Sequence, residues 1–397
     1  MQFANVAGQN NIKERLLAMF RENRIGHALL FSEDEGFGAL PLAIAFAQYI
    51  NCKFRTSQDS CGTCPTCNKF NKLIHPDLHF AMPVNSTKAT SLEKKGVSEL
   101  TSAIADKNRK STPADKRPVS DMFLSAWREM LLHNPYFTEQ EWYKKIEIEN
   151  KTGNIGVAEA SLIVKKLSMM SFEGGAKFMI VWLPERMNLD AANRLLKLIE
   201  EPPKETYIFM VSEAPEKIIP TILSRCQMLR LHPIEKEVMF HELISEFDLE
   251  DKEAQFWAKI SGGSLTKVRE MINDSDESTQ LDKSLALLLE GCVTKELQKV
   301  ISFWEDISLT GRENQKLFLE YTLEFLRRSL MISVGVNEVA NIPPNRIDFV
   351  TFWAGKFKPA FYNRAYILIN RAIEDINRNV NSKYLFADLS NRFFLSL

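Results

Sequence analysis

The sequence predicts a parallel α/β domain with helices on both faces of its sheet, followed by two helical domains. Three observations carry this. Between residues 27 and 231, short apolar runs alternate with stretches whose apolar residues recur at helical spacing. Beyond His232 and Pro233 the strand signals fade and helical periodicity takes over. The 397 residues, 45% hydrophobic and 25% charged, give each part enough apolar material for its own core and exclude a collagen-like, coiled-coil or mainly disordered chain.

In chain order, Ile12, Leu16, Leu17 and Phe20 keep a helical period, and HALLFS at 27–32 is a short buried-strand run. A turn, EDEGFGALPL, leads to a helix marked by Ala43, Ile44, Phe46, Ala47 and Ile50. DLHFAMPV at 77–84 alternates like a strand. From about Asn85 to Gly153 the rhythm breaks. A Lys-rich run (Lys94, Lys95, Lys107, Arg109, Lys110, Lys116, Arg117) gives way to Phe123, Trp127, Tyr136, Phe137, Trp142 and Tyr143. This reads as an insertion, its charges a solvated surface with helices and not a nucleic-acid arm. Regularity returns with a helix at 158–170, strand KFMIVWL at 177–183, a helix capped by Asn188 and stopped by Pro202 and Pro203, and strand YIFMVS at 207–212. A helix from Pro215 to Leu223 and a strand QMLRL ending at 231 follow. The helical remainder turns at Gly262, Gly263 and Ser264. From about Leu281 it runs in long amphipathic stretches marked by Leu323, Phe325, Leu326 and Leu330, then Ile367, Ile373 and Ile376.

Lys plus Arg is 50 against Asp plus Glu 51, a formal charge of -1, so no bulk field draws the chain to DNA or an anionic membrane. No run approaches 18 apolar residues, and MQFANVAGQN lacks the regions of a signal peptide. A cytoplasmic protein without a membrane partner is expected.

Four of the six cysteines crowd together with the spacing C-x8-C-x2-C-x2-C: Cys52, Cys61, Cys64 and Cys67. In a reducing compartment this favours a metal over disulfides, and four thiolates close a tetrahedral shell, the mark of structural zinc. An iron–sulfur cluster is disfavoured because the run lacks the fourth Cys followed by Pro. His75 and His79 are redundant as ligands and read as structural. Loss of zinc should cost stability, not chemistry. Cys226 reads as a core residue.

A strand, a Gly-containing turn and a helix are the setting of a phosphate-binding loop, G-x-x-x-x-G-K-[ST]. Here the turn is Glu33-Asp34-Glu35-Gly36-Phe37-Gly38-Ala39-Leu40. Gly36 and Gly38 stand, but Ala39 takes the lysine position and Leu40 the hydroxyl position. Three carboxylates lie where a triphosphate needs positive charge. KFMIVWLPERM places Trp182 and Leu183 where a metal-binding acidic pair would end the strand, with Glu185 the nearby carboxylate. Productive ATP binding is not expected.

These features, with Val6-Ala7-Gly8-Gln9, Arg24-Ile25-Gly26-His27-Ala28, Ala191-Ala192-Asn193-Arg194-Leu195-Leu196-Lys197, Glu200-Glu201-Pro202-Pro203, Pro215-Glu216-Lys217 and Ser224-Arg225-Cys226, resemble the AAA+ clamp-loader subunits of bacterial DNA polymerase III. The losses at Ala39, Leu40 and Trp182 resemble the ATPase-inactive, delta-prime type within that family. Thr266 stands roughly where active relatives place a nucleotide-touching Arg, a departure in the same direction.

The resemblance implies an AAA+ (P-loop NTPase-like) α/β domain at 1–233, with the zinc module at 52–67 and the insertion at about 85–153. A helical lid at 234–280 and an all-α C-terminal collar for oligomerisation at 281–397 follow. It implies a subunit that is no enzyme alone, completes the loader ring beside motor subunits and the delta subunit, and helps load the sliding clamp on primed DNA through the assembly. Arg225 would be an arginine finger acting in trans on a neighbour's ATP, with Ser224 shaping the turn and Cys226 beginning the strand. The alternatives are an active AAA+ motor ATPase with a divergent loop and a zinc-containing nucleic-acid-binding protein.

Overall fold

The computed structural model describes residues 1–85, 118–148, 152–336, 340–378 and 380–397, the side chains of 273–280 and 313 excepted. These form two compact units, 1–242 with 261–267, and 243–260 with 268–397. The segment 234–280, read from the sequence as a lid, is shared between them.

The first unit is built on five parallel strands: β1 (Ala28–Ser32), β2 (Leu78–Ala81), β3 (Lys177–Trp182), β4 (Thr206–Ser212) and β5 (Gln227–Arg230), in the order β2-β3-β4-β1-β5. Its helices are α1 (Asn10–Arg21), α2 (Ala39–Asn51), α3 (Pro65–Asn71), α4 (Leu124–His133), α5 (Glu139–Lys145), α6 (Val157–Ser168), α7 (Leu189–Glu200) and the single turn α8 (Pro220–Leu223). The register sets Leu30 between Met210 and Met228, and Ile180 between Phe80 and Phe209.

A parallel sheet is buried on both faces, so its inner strands read as unbroken apolar runs. Side chains alternate: Leu29, Phe31, Phe178, Ile180 and Phe209 pack with Leu16, Leu17, Ala43 and Phe46 of α1 and α2. Ala28, Leu30, Met179, Val181 and Met210 pack with Ile163 and Leu167 of α6 and Leu195 and Ile199 of α7. α2 is apolar and buried nearly all round. α7 begins where the Asn188 side chain accepts from the Ala191 amide at 2.8 Å, and it ends ahead of Pro202.

Two expectations change. The helix read over 215–223 is a 3-10 turn, Pro215–Lys217, and then α8. Pro220 has no amide to donate and its ring clashes with the preceding turn, so the apolar period could not become one helix. The aromatic part of the segment read as an insertion is core. Val84 and Asn154 pair antiparallel at its ends. Between them Trp127 and Trp142 are fully buried, Trp127 lies 5.1 Å from both Trp142 and Trp182 by ring centroids, and Trp142 donates to the Pro83 carbonyl at 2.8 Å. A capping box joining Thr138 and Glu141 starts α5. The Lys-rich run from Lys94 to Arg117 lies outside the described residues.

α9 (Lys236–Phe247) leads on to the second unit, where all described elements are helical: α10 (Asp251–Ile260), α11 (Leu265–Thr294, from Val268), α12 (Leu297–Leu309), α13 (Arg312–Ser333), α14 (Ile347–Ala354), α15 (Pro359–Asn377) and α16 (Ser382–Ser396). Phe303, Phe318, Phe325, Trp353, Phe361 and Phe386 anchor its core. The Gln315 amide donates to the carbonyls of Ile307, Ser308 and Thr310, satisfying the end of α12, and its oxygen accepts from Ser382 at 2.7 Å. Among the described residues no helix is long and apolar enough to cross a membrane.

Replacing Trp127 by Ala removes a fully buried indole from this aromatic cluster. A loss of about 3–5 kcal/mol in urea unfolding is expected; a chain as stable as the parent would show that the cluster is not part of the core.

Candidate functional site

β1 lies between β4 and β5, and its end delivers the loop Glu33–Gly38 to the first residue of α2. Gly36 and Gly38 have φ of +87° and +99°, the left-handed region that glycine reaches without strain. A Cβ on Gly36 would meet the Thr266 hydroxyl at 2.7 Å, and one on Gly38 the Tyr136 ring at 2.9 Å. The chain itself covers the loop. Leu265 donates its amide to the Gly36 carbonyl at 3.1 Å, Ser264 its hydroxyl to Glu35 O at 2.7 Å, and Thr266 its hydroxyl to Tyr136 O at 2.7 Å. The Tyr136 hydroxyl accepts from the Ala7 amide at 2.9 Å.

Ala39 and Leu40 are buried, so no cation and no hydroxyl stand at the positions a phosphate-binding lysine and a magnesium-binding Ser or Thr would take. Glu33 is buried too. Its Oε2 accepts from the Ala39 amide at 2.9 Å. Burial pushes its pKa up to about 8 against the pull of the neighbouring backbone amides.

At the end of β3, Trp182 is packed by Trp127 and Phe137, and Leu183 turns the chain with φ of +55°. Glu185 is not free to hold a metal by Oε1, which accepts from the amides of Glu213 and Ala214 at 3.0 and 3.1 Å. Burial first, and then the charges of Glu33, Glu35, Glu185 and Glu139, push Glu213 up to about 9.

At the amino-terminal end of β5, the opposite end of the parallel strands from the loop, Ser224 caps α8 and Arg225 follows it, exposed. Its Nε donates to Glu200 at the end of α7, and Nη1 donates to the Thr221 carbonyl at 2.8 Å and Ser224 Oγ at 3.2 Å. Cys226 is half-buried, not core, and precedes β5 by one residue; burial against Met210 pushes its thiol up to about 11. The signal for Glu200 was its place beside Pro202, where the stopped helix leaves its last carboxylate facing the next turn.

The four cysteines converge, their sulfurs all within 4.8 Å of one another. Cys61 Sγ and Cys67 Sγ are 3.9 Å apart, close to the edge of about 3.8 Å that a tetrahedron of 2.3 Å metal–sulfur bonds requires. Cys52 accepts from the Cys61 amide at 3.2 Å, Cys61 from the Cys64 amide at 3.4 Å and Cys64 from the Cys67 amide at 3.4 Å, which favours thiolates over thiols. Backbone amides of Thr63 and Cys64 hold Cys61 down at about 6, while burial pushes Cys52 and Cys67 up. The donor set fits a closed metal site. His75 is occupied elsewhere: Nδ1 accepts from the Asp77 amide at 3.2 Å and Nε2 faces Glu173 at 3.2 Å. Burial holds His79 down at about 4.

Comparison with known proteins adds the following. The profile of a family described as "DNA polymerase III, delta subunit" matches residues 8–114 and 137–235. It therefore covers much of the segment read as an insertion and leaves out 115–136. DNA polymerase III subunit delta' of Bacillus subtilis is 24% identical over 266 residues, 67% of this chain and 60% of that protein. Subunit delta' of Escherichia coli is 24% identical over 253 residues, 63% and 56% respectively. Subunit tau of Escherichia coli is 24% identical over 359 residues, 85% and 45%. The matches thus span less than two thirds of each relative's own length.

The acids of this cleft give a pH signature. A carboxyl whose folded pKa lies above its unfolded value keeps a proton that the unfolded chain releases, so stability is lost as pH rises between the two values. For Glu213 that window runs from about 4.5 to about 9. The urea midpoint is expected to fall across it, and less steeply in Glu213→Gln; parallel pH profiles would remove Glu213 as a contributor.

Proposed function

The chain belongs to the DNA polymerase III delta subunit family, and from that premise we propose that it is a non-catalytic, delta-prime-like subunit of the bacterial clamp loader. In this reading the first unit is an AAA+ domain that hydrolyses no ATP, residues 234–280 act as a lid, and the helices of 281–397 are the collar. The protein works in the cytoplasm, completes the loader ring beside motor subunits and the delta subunit, and reaches the sliding clamp and primed DNA through the assembly.

The observation that supports this most is the burial of Ala39 and Leu40 at the start of α2. Without a lysine on the phosphates and a hydroxyl on magnesium, the loop lacks the two groups that neutralise charge in phosphoryl transfer. Arg225 supplies the complementary half. A guanidinium keeps its charge at any physiological pH and presents a planar fork of donors. It is exposed and held by Glu200 and Thr221, and in this reading it leaves those partners to meet a neighbour's phosphate. Cys52, Cys61, Cys64 and Cys67 would hold a structural Zn²⁺, whose contribution is a tetrahedral cross-link across the loop ahead of α3.

ATP hydrolysis is expected from motor subunits of the same family mixed with this chain, and none from this chain alone. With Arg225→Ala, turnover at the adjacent site should fall about a thousand-fold. Hydrolysis by the isolated chain would end the non-catalytic reading, and equal stimulation by the Ala variant would leave Arg225 a scaffold residue.

Elemental analysis should find zinc in stoichiometric amount. Cys64→Ser is expected to lower both zinc content and thermal stability while leaving ATPase stimulation intact at a permissive temperature. A variant of unchanged metal content and stability would remove the zinc assignment.

A further inference from the structure

We propose that a pocket inside the second unit, walled by α10, α11, α13 and the turn into α14, is a binding site for a small organic anion with a flat apolar body, an aromatic carboxylate or a mononucleotide. It shares no residue with the loop between β1 and α2 or with Arg225, and it stands whether or not the chain completes a loader.

The pocket has a volume of about 360 Å³, the scale at which small ligands are held. One side is apolar. Trp257 of α10, Met271 of α11 and Phe325 of α13 line it, and Trp257 and Phe325 are buried. Aromatic walls suit a flat partner, which they meet by offset or edge-to-face contact. The other side is basic, with Arg327 and Arg328 of α13 and Arg346 just ahead of α14.

These guanidinium groups are not equally engaged. Arg327 donates through Nε and Nη2 to both oxygens of Glu324, at 2.7 and 2.6 Å, and is spent there. Arg328 gives that carboxylate its Nε alone, at 2.8 Å. Arg346 gives Nη2 to Asp282 at 2.8 Å and to the Tyr321 hydroxyl, and its guanidinium carbon stands 5.3 Å from the centre of the Tyr321 ring. Among the described residues, both terminal nitrogens of Arg328 and the Nε and Nη1 of Arg346 are left without a partner, and that Nε is buried.

An unmade hydrogen bond at a buried charged group is costly, and only an acceptor removes the cost. Glu324 and Asp282 answer two of the three positive charges, so the acceptor that fits is an anion. A carboxylate or phosphate matches the planar fork of a guanidinium. Tyr321 joins the two sides: its ring lines the pocket, and burial raises the pKa of its hydroxyl against the pull of Arg346 and Arg328, whose charges meet at this one ring. An oxyanion on Arg328 and Arg346 thus leaves its apolar body against Trp257 and Phe325.

The test is calorimetry on the full chain at constant pH and ionic strength, with naphthoate and adenosine monophosphate as probes. At least one is expected to bind saturably, at least about ten-fold more tightly than its uncharged counterpart, naphthamide or adenosine, and than acetate or inorganic phosphate, which lack the flat body. The probe that binds identifies the source of the anion. Arg328→Gln should weaken that binding about ten-fold. Saturable binding of neither probe, an uncharged counterpart held as tightly, or equal affinity in Arg328→Gln would overturn the proposal. Should Arg328→Gln fail to fold, Met271→Trp narrows the pocket from its apolar wall. It should abolish binding of the same probe, and undiminished affinity there would place the ligand elsewhere on the chain and sink the assignment.

Discussion

A parallel sheet has to be covered on both faces, and most of the first unit follows from that requirement. It makes β1, β3 and β4 apolar along their length, makes α2 apolar around its circumference, and recruits α6 and α7 to the opposite face. It also reaches the end of β3. There the indole of Trp182 is covered by Trp127 and Phe137, which come from the segment 118–148. The same packing that completes the core takes the place where a metal-binding acid would sit.

The electrostatics divide along the same line. Around the loop, Glu33, Glu35, Glu185 and Glu213 crowd together, and burial with mutual repulsion holds Glu33 and Glu213 up at about 8 and about 9, so negative charge is already disfavoured there. A nucleotide would add charge of the same sign. The guanidinium that suits a phosphate, Arg225, is exposed at the opposite end of the strands, held by Glu200 and Thr221. The proposed division of roles, with no phosphate held by this chain and Arg225 offered to one held by a neighbour, rests on this separation.

The fold was legible where a residue's environment is set by its neighbours in sequence. Strand runs such as ALLFS, the Asn188 cap, the Pro202 stop and the cysteine spacing all depend on local rules, and each element is where those rules put it. The failures share the opposite property. That the aromatic part of the segment read as an insertion joins the core was not legible because its partners, Trp182 and Pro83, are distant in sequence. Residues 215–223 kept a helical apolar period, but Pro220 overrode it. Cys226 sits at the rim of the core, a distinction between buried and half-buried that composition does not encode. In the site, the substitutions at Ala39 and Leu40 were plain from the motif. That Glu33 accepts from the Ala39 amide, and that Tyr136 covers Gly38, depends on tertiary geometry.

The hold on Arg225 carries a last consequence. Its partner Glu200 is nearly half exposed, and ion pairs of that kind contribute at most about 1 kcal/mol because water and salt compete for both ends. Such a contact is a mooring line, not a lock: it keeps the side chain extended along one edge, sparing part of the rotamer entropy that a long flexible arm would otherwise lose on docking. It can then be let go at almost no cost. Two motifs that look independent in the sequence, one ending a helix and one turning into a strand, are joined by this contact, and under the proposed role they would act as a single device for keeping a charge ready.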